Sequence, residues 1–476
     1  MSTLNEGQQY AVAEIKKFIL DPDPDNDFFT LEGLGGSGKT YSVVYAVKEF
    51  MTTHNIVGGT ISHSAKFVLD KSLEEAKIPC FTVAQLLNMT QYINPENGNV
   101  SFVPMNSKAK SPLDNADIII IDECSMLGPD LVAHINSRKK LGSKVLFLGD
   151  PFQLPPIGDE NADSPTFDYT RAKLHQAMRY SGPVADLGLR IRQEIDNFKL
   201  GQPCSKFVIN NWQTDELGHN CRTSNVNEDG NGYIFLNDID VAMEIARKAF
   251  AEDPSPDAMR LIAFRNETIK KLNDYTRSLL YQDEDVEHLP QFMPNELVIC
   301  EGGYAAKMEN RPFDRPCIYN NEVFKVTKVS SVTGPDGLPS LMPILYPPVR
   351  LQEGERIYAL DIRNGKEEYD ARLEKLKKAA KADGRQWRNY YTYQENFAWF
   401  NYNYGCTGHK AQGRTYKDVI VFEKDILEVN KIDTKVKLQS LYVACTRAQR
   451  RVYIYNSKYK VDQSLIPQHI REELGI

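Results

Sequence analysis

Short runs of β-branched and aromatic residues alternate along this chain with stretches of helical period, which predicts parallel sheets flanked by helices. Leu4 to Tyr10 open an amphipathic helix through Phe18, with Asn5 as its N-cap. Phe28 to Leu31 reads as a strand and Tyr41 to Phe50 as a helix. Ile56 to Ser62 is the next strand, with a helix start at His63 and a short helix from Thr82 to Leu87. Ala116 to Ile121 is a continuous apolar strand, and Lys144 to Leu148 another. Pro183 to Leu200 reads as a helix, and Cys204 to Gly232 as polar, Asn-rich loop. Arg260 to Phe264 and Asn266 to Leu280 form a strand–helix pair, and Val419 to Phe422 and Val452 to Tyr455 are the last strands.

Two stretches break the alternation. Tyr92 to Asn94 and Val100 to Val103 flank Pro95-Glu96-Asn97-Gly98-Asn99, and Asn-Gly between such runs predicts a β-hairpin within residues 89–112. An aromatic such as Phe102 on so small a hairpin has little core to join. From Pro294 to Trp399 the pattern becomes short strands between Pro/Gly turns, at Val298–Cys300, Glu322–Val329, Met342–Tyr346 and Ile357–Leu360. This predicts a small β-barrel. A lysine-laden helical stretch, Asn364 to Arg388, follows, and then a cluster of aromatics. Trp387 and Tyr391 are four apart and share a helix face beside Arg385 and Arg388. Aromatics interleaved with basic residues suit a single-strand stacking platform; Phe397 and Phe400 read as core.

Composition changes this picture little. At 476 residues, 41% hydrophobic and 25% charged, the chain is ordinary globular material, enough for two to four domains. A net charge of −7 argues against bulk electrostatic coating of nucleic acid but allows a local basic channel. The eight cysteines (80, 124, 204, 221, 300, 317, 406, 445) lack metal-ligand spacing and read as reduced thiols of a cytosolic protein. No signal peptide and no apolar run of bilayer length is evident.

The chemistry concentrates after the first strand. Gly33-Leu34-Gly35-Gly36-Ser37-Gly38-Lys39-Thr40 matches G-x-x-x-x-G-K-[ST], the phosphate-binding loop, in its strand–turn–helix context. Glycine permits the backbone to converge its N–H groups on an anion, and the helix N-terminus adds its dipole. Lys39 is placed for the β- and γ-phosphates of ATP and Thr40 for Mg²⁺. Asp122-Glu123, ending a buried strand, supplies the other half of an ATPase site: Asp122 for the metal's water shell, Glu123 to polarise attacking water. Gln153, in the Pro/Gly-rich stretch Gly149 to Pro156, is placed to sense a γ-phosphate or orient water. Gln8 offers a carboxamide matching an adenine edge. Arg179 and Arg447 are candidate arginine fingers.

Taken in order, these segments resemble the superfamily 1 helicases. Gln8 looks like their Q motif, Gly33 to Thr40 motif I, Thr60 to Lys66 motif Ia, and Thr82 to Leu87 motif Ib. Asp122-Glu123 resembles motif II, Gly149 to Pro156 motif III, and Leu174 to Arg179 motif IV. Cys406 to Gly413 resembles motif V and Leu441 to Ala448 motif VI, so the likeness runs from about residue 4 to 456. Motif Ia departs by lacking the usual proline. Within the superfamily the pattern is most similar to the 5′→3′ subgroup of Dda-like and RecD-like enzymes.

The resemblance implies an α/β fold of two RecA-like motor domains with a β-hairpin insertion and an SH3-like accessory barrel. It divides the chain into a first motor over residues 1–185, interrupted by the wedge hairpin 89–112. The second motor takes 186–297 and 400–476, and the accessory domain 298–399. It implies an ATP- and Mg²⁺-dependent 5′→3′ DNA helicase, with Gly413 among the nucleotide-binding residues. Ser62, His63, Thr82, Thr407, His409 and Lys410 would grip single-stranded DNA, Trp387 and Tyr391 would stack on it, and Phe102 would separate the strands. Expected partners are single-stranded DNA and single/double-strand junctions, with a single-strand-binding or replication protein as candidates. A cytoplasmic monomer is expected, in the host cytoplasm if phage-encoded. Rival readings are a translocase subunit that does not unwind alone, a scaffold with an inactive ATPase site, and a small-molecule kinase. Intact Lys39, Glu123 and Arg447 argue against the scaffold, and motifs beyond residue 400 against the kinase.

Overall fold

The first motor is built on a six-stranded parallel sheet in the order Cys80–Thr82, Ile56–Thr60, Ile118–Asp122, Lys144–Gly149, Phe28–Gly33, Thr170–Leu174. The computed structural model describes residues 4–104, 110–156, 163–176, 182–198, 212–214, 220–282, 289–306, 315–430 and 432–476. Strands buried on both faces explain the unbroken apolar runs: Ile118 to Ile121 are each wholly inaccessible. One face is covered by the helix Glu6–Leu20, through Ala11, Ile15 and Phe18, and by Lys39–Val47. The other packs Leu86, Leu127 and Ile135. Because the central strands are Ile118–Asp122, Lys144–Gly149 and Phe28–Gly33, their carboxyl ends bring Asp122, Gly149 and Gly33 side by side. Open α/β sheets present ligand sites at this edge.

A second parallel sheet follows the order Asn225–Val226, Gly232–Leu236, Ala448–Tyr455, Tyr416–Phe422, Met259–Ala263, Gly405–Thr407, with only Asn225–Val226 antiparallel. Its core takes Val184, Leu187 and Ile191 from the helix Pro183–Asp196, and Leu438, Leu441 and Tyr442 from Thr434–Cys445. All of Pro183–Asp196 therefore belongs to the second motor, moving the expected boundary at 185/186 slightly upstream. The Asn-rich stretch read as loop contains strands at Trp212–Thr214, Asn220–Thr223 and Asn225–Val226. The second of these is tied to Lys460–Asp462 from the distant C-terminal region, a pairing that local composition does not encode.

The accessory region is an antiparallel five-stranded sheet, Ala359–Leu360, Pro339–Tyr346, Val323–Thr333, Leu297–Glu301, Trp399–Tyr402, beside the pair Tyr304–Ala306 and Arg315–Ile318. Among the described residues no ladder joins the two outermost strands, so a closed barrel is not what this sheet displays. Trp399–Tyr402 pairs with Leu297–Glu301 and crosses the boundary expected at 399/400. Phe400 is thus a strand residue of the accessory core, whereas Phe397 is buried under Tyr369. The helices Ile362–Ala382 and Trp387–Gln394 pack on this region, and the hairpin Met89–Ile93/Val100–Pro104 projects from the first motor. Among the described residues no helix is long and apolar enough to cross a membrane.

Candidate functional site

The phosphate loop departs from the strand Phe28–Gly33 and enters the helix Lys39–Val47 through Gly38, whose left-handed backbone (φ +83°) a side chain would strain. Gly35 is closely approached for a different reason. A Cβ there would lie 3.3 Å from Nη2 of Arg447, a residue of the opposite motor, and 3.8 Å from Nε2 of Gln153. Lys39 Nζ donates to the carbonyls of Gly33 at 2.8 Å and Leu34 at 3.0 Å, so its ammonium sits over the loop. Thr40 Oγ1 donates to Asp122 Oδ2 at 3.0 Å, joining the two residues expected to hold the metal. Gly36 completes the turn, and Gly33 packs against Ser37 and Leu174.

Glu123 stands beyond the strand end in a left-handed backbone (φ +55°, ψ 43°), a conformation costing about 1–3 kcal/mol for a residue with a Cβ. Its carboxyl pKa is pushed above the usual carboxylate range, first by burial and then by Asp122, against the pull of Lys39, Arg447 and a hydrogen bond from Gln412. Gln412 also donates to Ser125 Oγ at 3.3 Å, and a Cβ on Gly413 would lie 3.7 Å from Glu123 Oε1. The loop resembling motif V therefore packs directly on Glu123.

Two observations fit this cleft to a polyanion such as a triphosphate. Arg447 is 2% exposed, yet its hydrogen bonds go only to neutral oxygens, those of Val443, Arg414 and Thr446. Among the described residues no carboxylate forms an ion pair with it, so its buried charge lacks an anionic partner in contact. Ser37 Oγ, Gln153 Oε1 and Gln412 Oε1 are likewise buried without a hydrogen-bond partner. A cavity of about 600 Å³ opens beside the loop, lined by Gly33, Leu34, Phe152, His175 and Arg192. Gln8, read as an adenine sensor, spends Oε1 on Asn5 N (3.1 Å) and Nε2 on Ser37 O (3.3 Å), tying the first helix to the phosphate loop. Arg179 lies outside the described residues.

The motors are joined by contacts that sequence reasoning missed. Asp150, fully buried at the end of Lys144–Gly149, pairs with Arg192 at 2.7 Å and accepts from Tyr442 Oη at 2.8 Å. The Arg192 guanidinium stacks 3.7 Å from the Phe152 ring centre. Gln439 Nε2 donates to Pro151 O at 3.1 Å. Only the Gly-Asp-Pro-Phe-Gln stretch hinted at this, and its partners lie far away in sequence.

The expected strand grips line the same sheet edges. Ser62, Thr82 and Thr407 each cap a helix, accepting from Ala65 N, Gln85 N and Lys410 N, so these hydroxyls serve local structure first. His63 stacks on Tyr319 of the accessory region, His409 meets Phe264 edge-on, and Lys410 pairs with Glu301 at 2.9 Å. Phe102 is 62% exposed on the hairpin, opposite Gln91. The expectation for Trp387 and Tyr391 needs correction. Trp387 is buried against the hairpin tip, where a Cβ on Gly98 (φ +72°) would come within 2.7 Å of its ring, and Tyr391 Oη donates to Gly98 O at 2.6 Å. Their shared helix face grips the hairpin instead of presenting an open platform, because the turn supplies an apolar partner that the helix sequence alone cannot reveal.

Two family models match parts of the chain. Residues 3–193 match the family model of the AAA domain, and residues 404–455 that of the UvrD-like helicase C-terminal domain. An uncharacterized protein, R530, of Acanthamoeba polyphaga mimivirus is 24% identical over 94% of this chain and 99% of its own length. Among solved structures, two coordinating Pif1 helicases at forked duplex DNA align over 99% of this chain and 96% of theirs, at 14% identity and TM-score 0.48. Pif1 from Candida albicans aligns over 100% and 99%, at 12% identity and TM-score 0.44.

Proposed function

We propose that this chain, which belongs to the superfamily 1 helicases, hydrolyses ATP between its two motors to travel 5′→3′ along single-stranded DNA and open the duplex ahead. The observation that carries the reading is Arg447, a buried cation of the second motor placed against Gly35 in the phosphate loop of the first. Lys39 and the loop N–H groups hold the phosphates, Gln153 reads the γ-phosphate, and Glu123 takes a proton from the attacking water. Thr40 and Asp122 would hold Mg²⁺, which would supply neutralisation of the phosphate charge. Arg447 stabilises the charge that develops on the transferred phosphoryl group, worth about 10³–10⁵ in rate for such fingers. Because Arg447 and Lys39 come from different motors, hydrolysis requires the cleft to close, and product release lets it open.

Strand grips lie on both motors, so closing and opening shift one grip relative to the other. Ser62, His63 and Thr82 hold from the first motor, and Thr407, His409 and Lys410 from the second. Phe102 divides the duplex. A DNA stacking step costs on average about 1.4 kcal/mol, and an aromatic stack returns roughly 1–3 kcal/mol per base. The wedge thus offsets the cost of melting, and ATP supplies direction. The 5′→3′ sense rests on likeness of the motifs to the Dda-like subgroup. Replication, recombination or repair is the setting for such an activity, with a single-strand-binding or replication protein as partner.

Unwinding of two partial duplexes, one with a 5′ and one with a 3′ single-stranded tail, tests the reading with ATP and Mg²⁺ present. Opening of the 5′-tailed substrate alone is expected. Opening of the 3′-tailed substrate alone reverses the direction. Strand-stimulated ATPase without opening of either makes the chain a translocase subunit.

A further inference from the structure

Tyr319 occupies the turn between Arg315–Ile318 and Val323–Thr333 in the accessory region, yet it reaches the first motor. Its ring lies face to face with that of His63, centroids 4.4 Å apart and planes 16° from parallel. Tyr319 remains 42% exposed, so core burial does not account for its placement. The turn itself is held firmly. Tyr319 N donates to Glu322 Oε2 at 2.7 Å, and Asn321 N to Cys300 O at 2.8 Å. Arg414 Nη2, from the loop following motif V, donates to Asn321 O at 2.8 Å. The carbonyl of that same Arg414 accepts from Arg447 Nη1 at 3.3 Å. A continuous path therefore runs from the finger at the phosphate loop, through Arg414 and Asn321, to a ring stacked on the His63 grip.

We propose that Tyr319 is a base-stacking residue of the strand groove, closing on a nucleobase together with His63, and that Arg414 ties its position to Arg447. This rests on the strand-motor reading above. The ligand class is an unpaired nucleobase of any sequence, since a stacked ring reads the π-face common to all bases. The His63 ring joins the stack in its neutral form, because burial and then Lys66 lower its pKa. The accessory region then forms part of the motor's grip, and nucleotide-driven movement of Arg447 reaches the strand through two hydrogen bonds.

The test uses the full chain and an oligodeoxythymidine carrying one 2-aminopurine, scanned along its length. Tyr319→Ala is expected to bind about five- to a hundredfold more weakly and to lose the fluorescence quenching at one strand position. Tyr319→Phe, which keeps the ring, should restore both. Arg414→Gln keeps the ring but cuts its tether, so the change in strand affinity on adding ADP–aluminium fluoride should shrink. Wild-type binding by Tyr319→Ala, or a Phe variant as weak as the Ala variant, overturns the stacking role. Unchanged nucleotide dependence in Arg414→Gln overturns the link to Arg447. Failure of the wild-type chain to bind the oligonucleotide would instead sink the strand-motor reading itself.

Discussion

Arg192 and Asp150 form a 2.7 Å ion pair across the boundary between the motors, with Asp150 wholly buried and Tyr442 donating to its second oxygen. Removing the arginine leaves a buried carboxylate held only by the Tyr442 hydroxyl and the Phe152 amide, and breaking such pairs typically costs about 3–5 kcal/mol. Arg192→Ala should therefore lower Tm by roughly 3–5 °C. It should also raise KM for ATP, because the pair holds the Gln153 loop against the helix Pro183–Asp196, and Arg192 in turn donates to Tyr442 on the helix leading to Arg447. Scanning calorimetry and steady-state ATPase check both, and an unchanged Tm would mean that the interface does not depend on this pair.

Glu123 carries opposed demands. Its raised pKa means that the folded chain holds the proton more tightly than the unfolded chain, so ionisation destabilises the fold as pH climbs above the ordinary value of 4.5. Glu123→Gln should raise Tm at neutral pH, and the gain should fade as pH falls toward 4.5. The same substitution should abolish hydrolysis, whose acid limb in the wild type should lie above 4.5 because Glu123 must be ionised to accept a proton. Melting curves across pH, with kcat beside them, decide the point.

Lys39→Ala should abolish strand-stimulated ATPase while single-strand binding persists, as measured by turnover and fluorescence anisotropy. Arg447→Ala should lower kcat by about 10³–10⁵ with little change in nucleotide affinity. Turnover surviving in either variant would remove that residue from the site.

For the hairpin, Phe102→Ala should reduce unwinding far more than ATPase. Equal losses would assign Phe102 a purely structural part.

Trp387→Ala undocks the hairpin tip without touching the nucleotide site. Unwinding per ATP consumed should fall, and hydrogen exchange should rise at Met89–Ile93 and Val100–Pro104. Exchange unchanged there would show that the tip contact does not brace the hairpin.

Much of this was legible in the chain because the nucleotide chemistry is local. A strand, a glycine turn and a helix start are contiguous at Phe28 to Thr40, and each has its own signal. The apolar strand ending in Asp122 was readable for the same reason. What escaped depends on distant partners. Trp387 carried an aromatic-basic helix signature, but Gly98, far upstream, decides what it touches. Tyr319 lay beside an Asn-Asn turn that marks a loop, and nothing local points to His63. Asn220–Thr223 has loop composition and becomes a strand through Lys460–Asp462.

The second sheet also sets an order of assembly. Met259–Ala263 and Gly405–Thr407 are neighbouring strands, yet the whole accessory region is spliced between them, and the strand beginning at Ala448 lies deep in the same sheet. A chain emerging from the ribosome thus presents its phosphate loop roughly four hundred residues before Arg447 appears. On the proposed reading, the nascent protein has, until the later segments insert, a loop suited to a nucleotide and nothing to trigger hydrolysis. Half-made motors then burn no fuel, and the capacity to consume ATP becomes a certificate that both halves have folded and met.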